Sequence, residues 1–207
     1  MATLAVVIER GAKRTFASAI DWPGWCRSGT DDDRAIDTLL EYRARFAPVA
    51  EAAGLRVPTS LSVQVIEVLA GNATTDFGAP AMPATVEVRP PTPVKRQRAV
   101  ALVQAAWDAF DRIEADAPRD LRKGPRGGGR DTDAIREHLH ESEQAYKGKL
   151  GVRGTRDLVV VRRAMLQAIA DGRMPAMPKE WPSAYAARRI AWHALDHAWE
   201  IEDRSGR

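Results

Sequence analysis

The chain has 207 residues, of which 44% are hydrophobic and 29% charged, enough to bury a substantial core in one or two domains. Its 31 basic and 28 acidic residues leave a formal net charge of only +3, which does not require a nucleic-acid partner. The single cysteine, Cys26, excludes an intrachain disulfide. Because the sequence shows neither a bilayer-spanning apolar run nor the apolar core of a signal peptide, we expect a soluble, cytoplasmic protein without a membrane partner.

The first predicted element is a β-hairpin. Apolar residues alternate with polar or small ones from Leu4 to Ile8, and Gly11 marks a turn before a second extended run from Lys13 to Ile20. The hairpin ends in the segment DWPGW, where proline and glycine impose a turn.

A helix with an acidic N-terminus is predicted next. Thr30 or Asp31 can cap it, and Asp32 and Asp33 place carboxylates at the positive end of the helix dipole. Apolar residues then recur at the helical period until Gly54.

The segments DWPGW and SGTDDDRAIDTLLEY, within about residues 1–50, resemble the small HicB-like fold. Toxin–antitoxin members of that family use the domain to bind a partner protein, so the resemblance implies a protein partner for the N-terminal unit. An antitoxin role does not follow, because the sequence shows no separate DNA-binding module beside it.

Two further strands, Ser62 to Leu69 and Thr85 to Val88, are predicted after this helix. The order of elements indicates a small α+β domain over residues 1–79, with a helix across an antiparallel sheet. Prolines at positions 80, 83, 90, 91 and 93 then predict a linker or surface strap over residues 80–93.

The remaining residues, 94–207, predict an all-α four-helix bundle. The four amphipathic segments are Lys95 to Ala117, Thr132 to Lys147, Thr155 to Ala170 and Pro182 to Arg204. The glycine-rich stretch Leu121 to Arg130 between the first two permits either an anion-binding loop or a solvated connection, and we favour the latter because the Walker spacing is missing.

The last predicted helix carries a histidine pair. His193 and His197 lie four residues apart, which places both imidazoles on one helical face, where they can share a divalent ion. A zinc protease would need glutamate directly after the first histidine, and Ala194 occupies that position. Glu200 and Asp196 flank the pair and can orient the imidazoles or accept a proton.

A third ligand is predicted on the second helix of the bundle. His138 lies near the centre of its apolar face, whereas His140 falls on the opposite side and is interpreted as a surface residue. Glu141 is a candidate acceptor that would fix the His138 tautomer.

The segments LRKGPRGGGRDTDAIREHLHESEQAYKGKLG and RRIAWHALDHAWEIEDR resemble the DinB-like family of metal-binding four-helix bundles, over about residues 94–207. The resemblance implies that His138, His193 and His197 form the metal triad. Family members include thiol-dependent S-transferases and an isomerase that use low-molecular-weight thiols such as mycothiol or bacillithiol. It therefore implies a small-molecule electrophile and such a thiol as partners.

Three neutral histidines leave a coordination position open, as in catalytic zinc sites. Zinc or nickel suits the set best, with iron and manganese as alternatives. The leading hypothesis is a metal-dependent thiol S-transferase. Two alternatives are a metal-dependent hydrolase and a non-catalytic binding module with a vestigial or structural metal site. The sequence leaves open a homodimer.

Overall fold

The computed structural model describes residues 2–123 and 129–206, and in these ranges it contains one four-stranded sheet and seven helices. The strands are β1 (Ala2–Arg10), β2 (Thr15–Ala19), β3 (Cys26–Gly29) and β4 (Leu61–Ala70). The helices are α1 (Asp32–Glu41), α2 (Arg43–Ala52), α3 (Ala73–Phe77), α4 (Pro93–Asp116), α5 (Thr132–Lys149), α6 (Leu158–Ala170) and α7 (Ser183–Ser205). The α+β class predicted for the N-terminal part is therefore confirmed.

The sheet has the strand order β3-β2-β1-β4. β1 and β2 form the predicted antiparallel hairpin, whereas β4 lies parallel to β1. The prediction of a wholly antiparallel sheet was thus wrong. The chain leaves β3 and crosses through α1 and α2 before it enters β4, and a crossover of this length permits the parallel pairing that a tight hairpin turn forbids.

The acidic helix is confirmed, and it consists of two helices that meet at Tyr42. The side chain of Asp31 caps α1 by accepting a hydrogen bond of 2.9 Å from the backbone N–H of Arg34. α1 packs against β2 and β3, whereas α2 packs against α4, and their apolar residues Leu39 and Phe46 are fully buried.

The strand predicted over Thr85 to Val88 was wrong, since this segment forms a turn in which the backbone N–H of Glu87 donates to the carbonyl of Ala84. The reason is a buried ion pair. Both carboxylate oxygens of Glu87 accept hydrogen bonds from Arg188 on α7, at 2.7 and 2.8 Å. The segment is therefore held against α7 and does not extend the sheet.

The four long helices appear where the sequence predicts them, and α7 lies at their centre. α4, α5 and α6 all pack against α7, and most side chains of α7 are buried around its whole circumference. The indole of Trp192 packs edge-on against Phe16 of β2, and that of Trp199 packs against Tyr42. α7 therefore packs on two sides, against the N-terminal part and against the other long helices.

A single cluster of buried apolar side chains runs from the sheet into the helices. Trp25 stacks on Phe46 with ring centroids 5.3 Å apart, and the cluster continues to Phe110 of α4 and Leu195 of α7. None of the described helices is long and apolar enough to span a membrane.

Candidate metal centre

The three histidines predicted as ligands meet in one place. His138, His193 and His197 each direct a nitrogen atom into a common space, and these atoms lie within 4.8 Å of one another. The ring of His138 stands edge-on to both other rings, at centroid distances of 5.2 and 5.1 Å. His138 of α5 thus forms one cluster with two α7 residues that lie 55 and 59 positions further along the chain.

The two helices hold these side chains because of where their apolar faces lie. Ile135 and Leu139 are buried where α5 meets its neighbours, and His138 lies between them at the edge of that face. On α7, His193 and His197 are only 7% and 9% exposed. The cluster therefore lies at the rim of the core and not on a freely solvated surface.

Neighbouring polar groups contact Nδ1 of both α7 histidines. Nδ1 of His197 is 2.9 Å from a carboxylate oxygen of Glu200, so it carries the proton and leaves Nε2 as the free donor atom. Nδ1 of His193 lies 3.5 Å from the hydroxyl of Tyr146, a contact in which either group can be the donor. This arrangement is typical of metal-binding histidines, whose second nitrogen is fixed by a carboxylate or another polar group.

The cluster also favours the neutral imidazoles that metal binding requires. Burial, reinforced by the neighbouring His197, lowers the pKa of His193 well below its ordinary value. Burial and the proximity of His197 lower the pKa of His138 as well. At neutral pH these two rings therefore present unprotonated nitrogens.

The donor set fits a divalent ion. Nitrogens that share one zinc ion at about 2.1 Å each lie at most about 4.2 Å apart, so closure around an ion requires only small side-chain rotations. Three imidazoles without a carboxylate or thiolate suit zinc, nickel or iron better than calcium or magnesium.

The three carboxylates predicted to support the ligands differ in the groups that they contact, and two of them form ion pairs. Glu200 contacts His197, and its other oxygen accepts a hydrogen bond of 2.7 Å from Arg204. Burial alone would raise the pKa of the Glu200 carboxyl, but the contacts with His197 and Arg204 outweigh burial and lower it. Asp196 instead forms an ion pair with Arg27 of β3 at 2.9 Å.

Glu141 is exposed, and within the described residues it has no hydrogen bond to His138. His140 lies on a different face of α5 from His138, as predicted, although it is half-buried and burial lowers its pKa. It lines an open groove with Arg136 and Glu141 and takes no part in the histidine cluster.

Two cations beside the cluster are missing from the sequence-based prediction. Arg204 follows Glu200 by four residues, a spacing typical of helical ion pairs that would have identified it. Arg189 precedes His193 by one helical turn and is only 8% exposed, with its guanidinium over the rings of Trp192 and Tyr146. Its Nη1 atom is buried and has no hydrogen-bond partner among the described residues.

The glycine-rich stretch Leu121 to Arg130 cannot be assigned a role from the structure, since residues 124–128 lie outside the described part. Of its described ends, the Arg122 backbone N–H donates to the Arg204 carbonyl and its side chain to the Asp203 carbonyl.

Comparison with known proteins identified no relative of this chain. No family model matches the chain, and neither curated proteins nor solved structures gave a match.

Proposed function

We propose that this protein is a divalent-metal enzyme of the DinB-like type that transfers a low-molecular-weight thiol to an electrophilic small molecule. The observation that carries the proposal is the convergence of His138, His193 and His197 within 4.8 Å. A divalent ion bound there would supply a Lewis acid that lowers the pKa of a thiol and holds its sulfur as a nucleophile. Three protein ligands leave room for that exchangeable partner.

The surrounding residues have separate tasks in this proposal. Glu200 keeps the proton of His197 on Nδ1, and Arg204 holds Glu200 in place from the opposite side. The hydroxyl of Tyr146 is close enough to His193 to restrict rotation of its ring. These contacts preorganise the two α7 ligands before an ion binds.

Arg189 supports a charged thiol as the partner. Its guanidinium lies beside Trp192, whose ring is stacked on His193 with centroids 5.8 Å apart. No carboxylate of the described residues forms an ion pair with Arg189. A carboxylate-bearing thiol would place its negative charge beside this cation while its sulfur approaches the histidines.

The sulfur must come from such a partner, because the protein's own thiol is sequestered. Cys26 is fully buried and accepts a hydrogen bond from the hydroxyl of Ser18, and burial raises its pKa to about 11. It remains a neutral thiol at physiological pH and cannot serve as the nucleophile.

Elemental analysis of protein purified without a histidine tag tests the metal site. We expect about one divalent ion per wild-type chain and loss of that ion in His138→Ala and His193→Ala. His140→Ala is the matched control, since it removes a histidine from the same helix outside the cluster, and it should keep the ion. A folded wild-type protein that binds no ion after incubation with divalent metals would refute the proposal and favour the binding-module alternative.

Thiol use is tested on the cobalt-substituted protein by near-ultraviolet absorption. We expect N-acetylcysteine to produce a thiolate-to-cobalt charge-transfer band, and the uncharged 2-mercaptoethanol to require a higher concentration. Arg189→Met should reduce the difference between the two thiols. Turnover of ester or amide substrates without added thiol, and no band with either thiol, would instead identify a hydrolase.

A further inference from the structure

A second cavity lies away from the histidine cluster, where the end of the β-hairpin, the segment before α4 and the start of α7 meet. Its volume is about 210 Å³. Its walls are mostly apolar and include Ile20, Pro23, Val86, Ala99 and Ile169. An apolar cavity of about 150 Å³ accommodates a benzene ring, so a ring-sized group fits this space.

One wall carries a cation that lacks a counter-ion in direct contact. The guanidinium of Arg98 stacks on Trp22 at 3.7 Å from the ring centroid. Its Nε and Nη2 atoms are buried and have no hydrogen-bond partner among the described residues. Burial lowers the pKa of Arg98. A desolvated guanidinium without an acceptor is costly for the fold, which makes a bound anion favourable.

The two unpaired nitrogens are those that bind carboxylates elsewhere in this chain. Arg10, Arg162 and Arg188 each use Nε and Nη2 to form two parallel hydrogen bonds with one carboxylate. In Arg98 the same edge has no such partner. A rearrangement of this long side chain would bring that edge to a carboxylate in the cavity.

The start of α7 supplies a second polar group on the cavity wall. Ser183 is fully buried, and its hydroxyl has no hydrogen-bond partner among the described residues. It is the first residue of a 23-residue helix whose N-terminus has no side-chain cap. The backbone N–H of Ser183 already donates to the carbonyl of Arg173, but the positive end of the helix dipole still favours an anion at this position.

The acidic groups near the cavity already have partners. The carboxylate of Asp21 lies 2.9 Å from the ammonium of Lys95, and Glu87 is fully engaged by Arg188. Asp21 acts on Arg98 only electrostatically, without a hydrogen bond. Among the described residues, the positive charge of Arg98 is therefore not compensated by direct contact with a carboxylate. The same holds for Arg96, another residue of the cavity wall, which donates to the backbone carbonyl of Asp171.

We propose that this cavity binds a small organic carboxylate, with its apolar body between Val86 and Ile169, and its carboxylate held by Arg98 and the hydroxyl of Ser183. The site is separate from the proposed metal centre. Ser183 and His193 are ten residues apart on α7, which corresponds to about 15 Å along the helix. The inference therefore does not depend on the proposed enzymatic function.

Isothermal titration calorimetry with benzoate tests the site, with benzyl alcohol as the uncharged probe of the same size. We expect the full-length protein to bind benzoate at millimolar concentrations and benzyl alcohol far more weakly. Arg98→Met should raise the Kd for benzoate about tenfold or more, because it keeps the side-chain length and removes the charge. Ser183→Ala should raise the Kd by a smaller factor.

Two further variants separate binding from folding. Arg163→Met removes an exposed arginine from α6 and should leave the Kd unchanged. Ala184→Phe fills the cavity while it leaves Arg98 intact, and it should also abolish binding. Circular dichroism and thermal unfolding verify that each variant is folded.

Three results with benzoate would overturn the inference. They are the absence of benzoate binding to the wild-type protein, equal affinities for benzoate and benzyl alcohol, and an unchanged Kd in a folded Arg98→Met protein. Tighter binding of inorganic phosphate than of benzoate would also overturn it, since that result would assign the cavity to phosphate and not to a carboxylate.

Discussion

At the scale of single residues, the contacts of His197 and its neighbours distinguish two carboxylates that look equivalent in the sequence. Glu200 and Asp196 both flank the histidine pair on α7. Glu200 bonds Nδ1 of His197 at 2.9 Å, whereas Asp196 bonds Arg27 at the same distance and does not contact an imidazole. Of these two carboxylates, only Glu200 can therefore fix the tautomer of a ligand.

We expect Glu200→Gln to weaken metal affinity about 10–100-fold, the range found when a partner of a metal-binding histidine is removed. Asp196→Asn is the matched control, with one charge removed from the same helix, and should change the affinity little. Competition with a chromophoric chelator measures both. Equal losses in the two variants would show that net charge, and not the contact with His197, sets the affinity.

Cys26 gives a second prediction at this scale. Because its thiol is buried with a pKa of about 11, it should resist alkylation by iodoacetamide in the native protein at pH 8 and react on unfolding. The thiol of an unfolded chain loses its proton near pH 8.5. Between that pH and 11 the native state therefore binds more protons than the unfolded state. The contribution of Cys26 to the free energy of unfolding therefore falls as pH rises through this window.

The control for Cys26 is Ser62→Cys in a Cys26→Ser background, which moves the only thiol to an exposed position on β4. It should be alkylated rapidly without denaturant. Rapid alkylation of native wild-type protein would contradict the burial of Cys26.

At the scale of helices, a buried ion pair joins α5 to α6. Glu143 is 1% exposed, and both of its oxygens accept hydrogen bonds of 3.0 Å from Arg162. Arg162 also donates to Asp111 of α4 at 2.6 Å. The helical wheel of α5 places Glu143 away from its apolar face, so the sequence pattern does not reveal this connection between three helices.

Arg162→Met should lower the free energy of unfolding by about 3–5 kcal/mol, because it leaves the Glu143 carboxyl buried without its partner. The neighbouring Arg163→Met, at an exposed position, should change it by less than about 0.5 kcal/mol. Urea unfolding measures both. Adding Glu143→Gln to Arg162→Met should restore part of this loss in the free energy of unfolding. A double variant as unstable as Arg162→Met would show that the unpaired carboxyl is not the cause.

At the scale of the whole molecule, α7 is shared between the sheet and the other long helices. Trp192 and Trp199 pack against Phe16 and Tyr42 of the N-terminal part, while Ile190 and Ala194 lie in the main cluster with α4 residues. Unfolding of either part alone would expose large apolar side chains of α7 to water.

We therefore expect one cooperative thermal transition, with the calorimetric enthalpy equal to the van't Hoff enthalpy. Differential scanning calorimetry makes this comparison. Two resolved transitions, or different midpoints by tryptophan fluorescence and far-ultraviolet circular dichroism, would show that the parts unfold independently.

Local patterns in the sequence were sufficient for the hairpin, a cap at Thr30 or Asp31, the long helices and the three histidines. Each depends on neighbours within a few residues, such as alternation along β1 or the four-residue spacing of His193 and His197. The convergence of His138 with that pair was also predictable, because the apolar face of an amphipathic helix is turned toward its partners.

Only the tertiary structure decided the direction of β4, the turn at Glu87, the network around Glu143 and the cavity beside Arg98. These features depend on partners far apart in the sequence, and Glu87 and Arg188 are separated by 101 residues. A charged side chain looks solvent-exposed in a sequence pattern unless its distant partner is known. Burial becomes favourable only when the fold brings the two charges together, or leaves one of them facing a site that a ligand can fill.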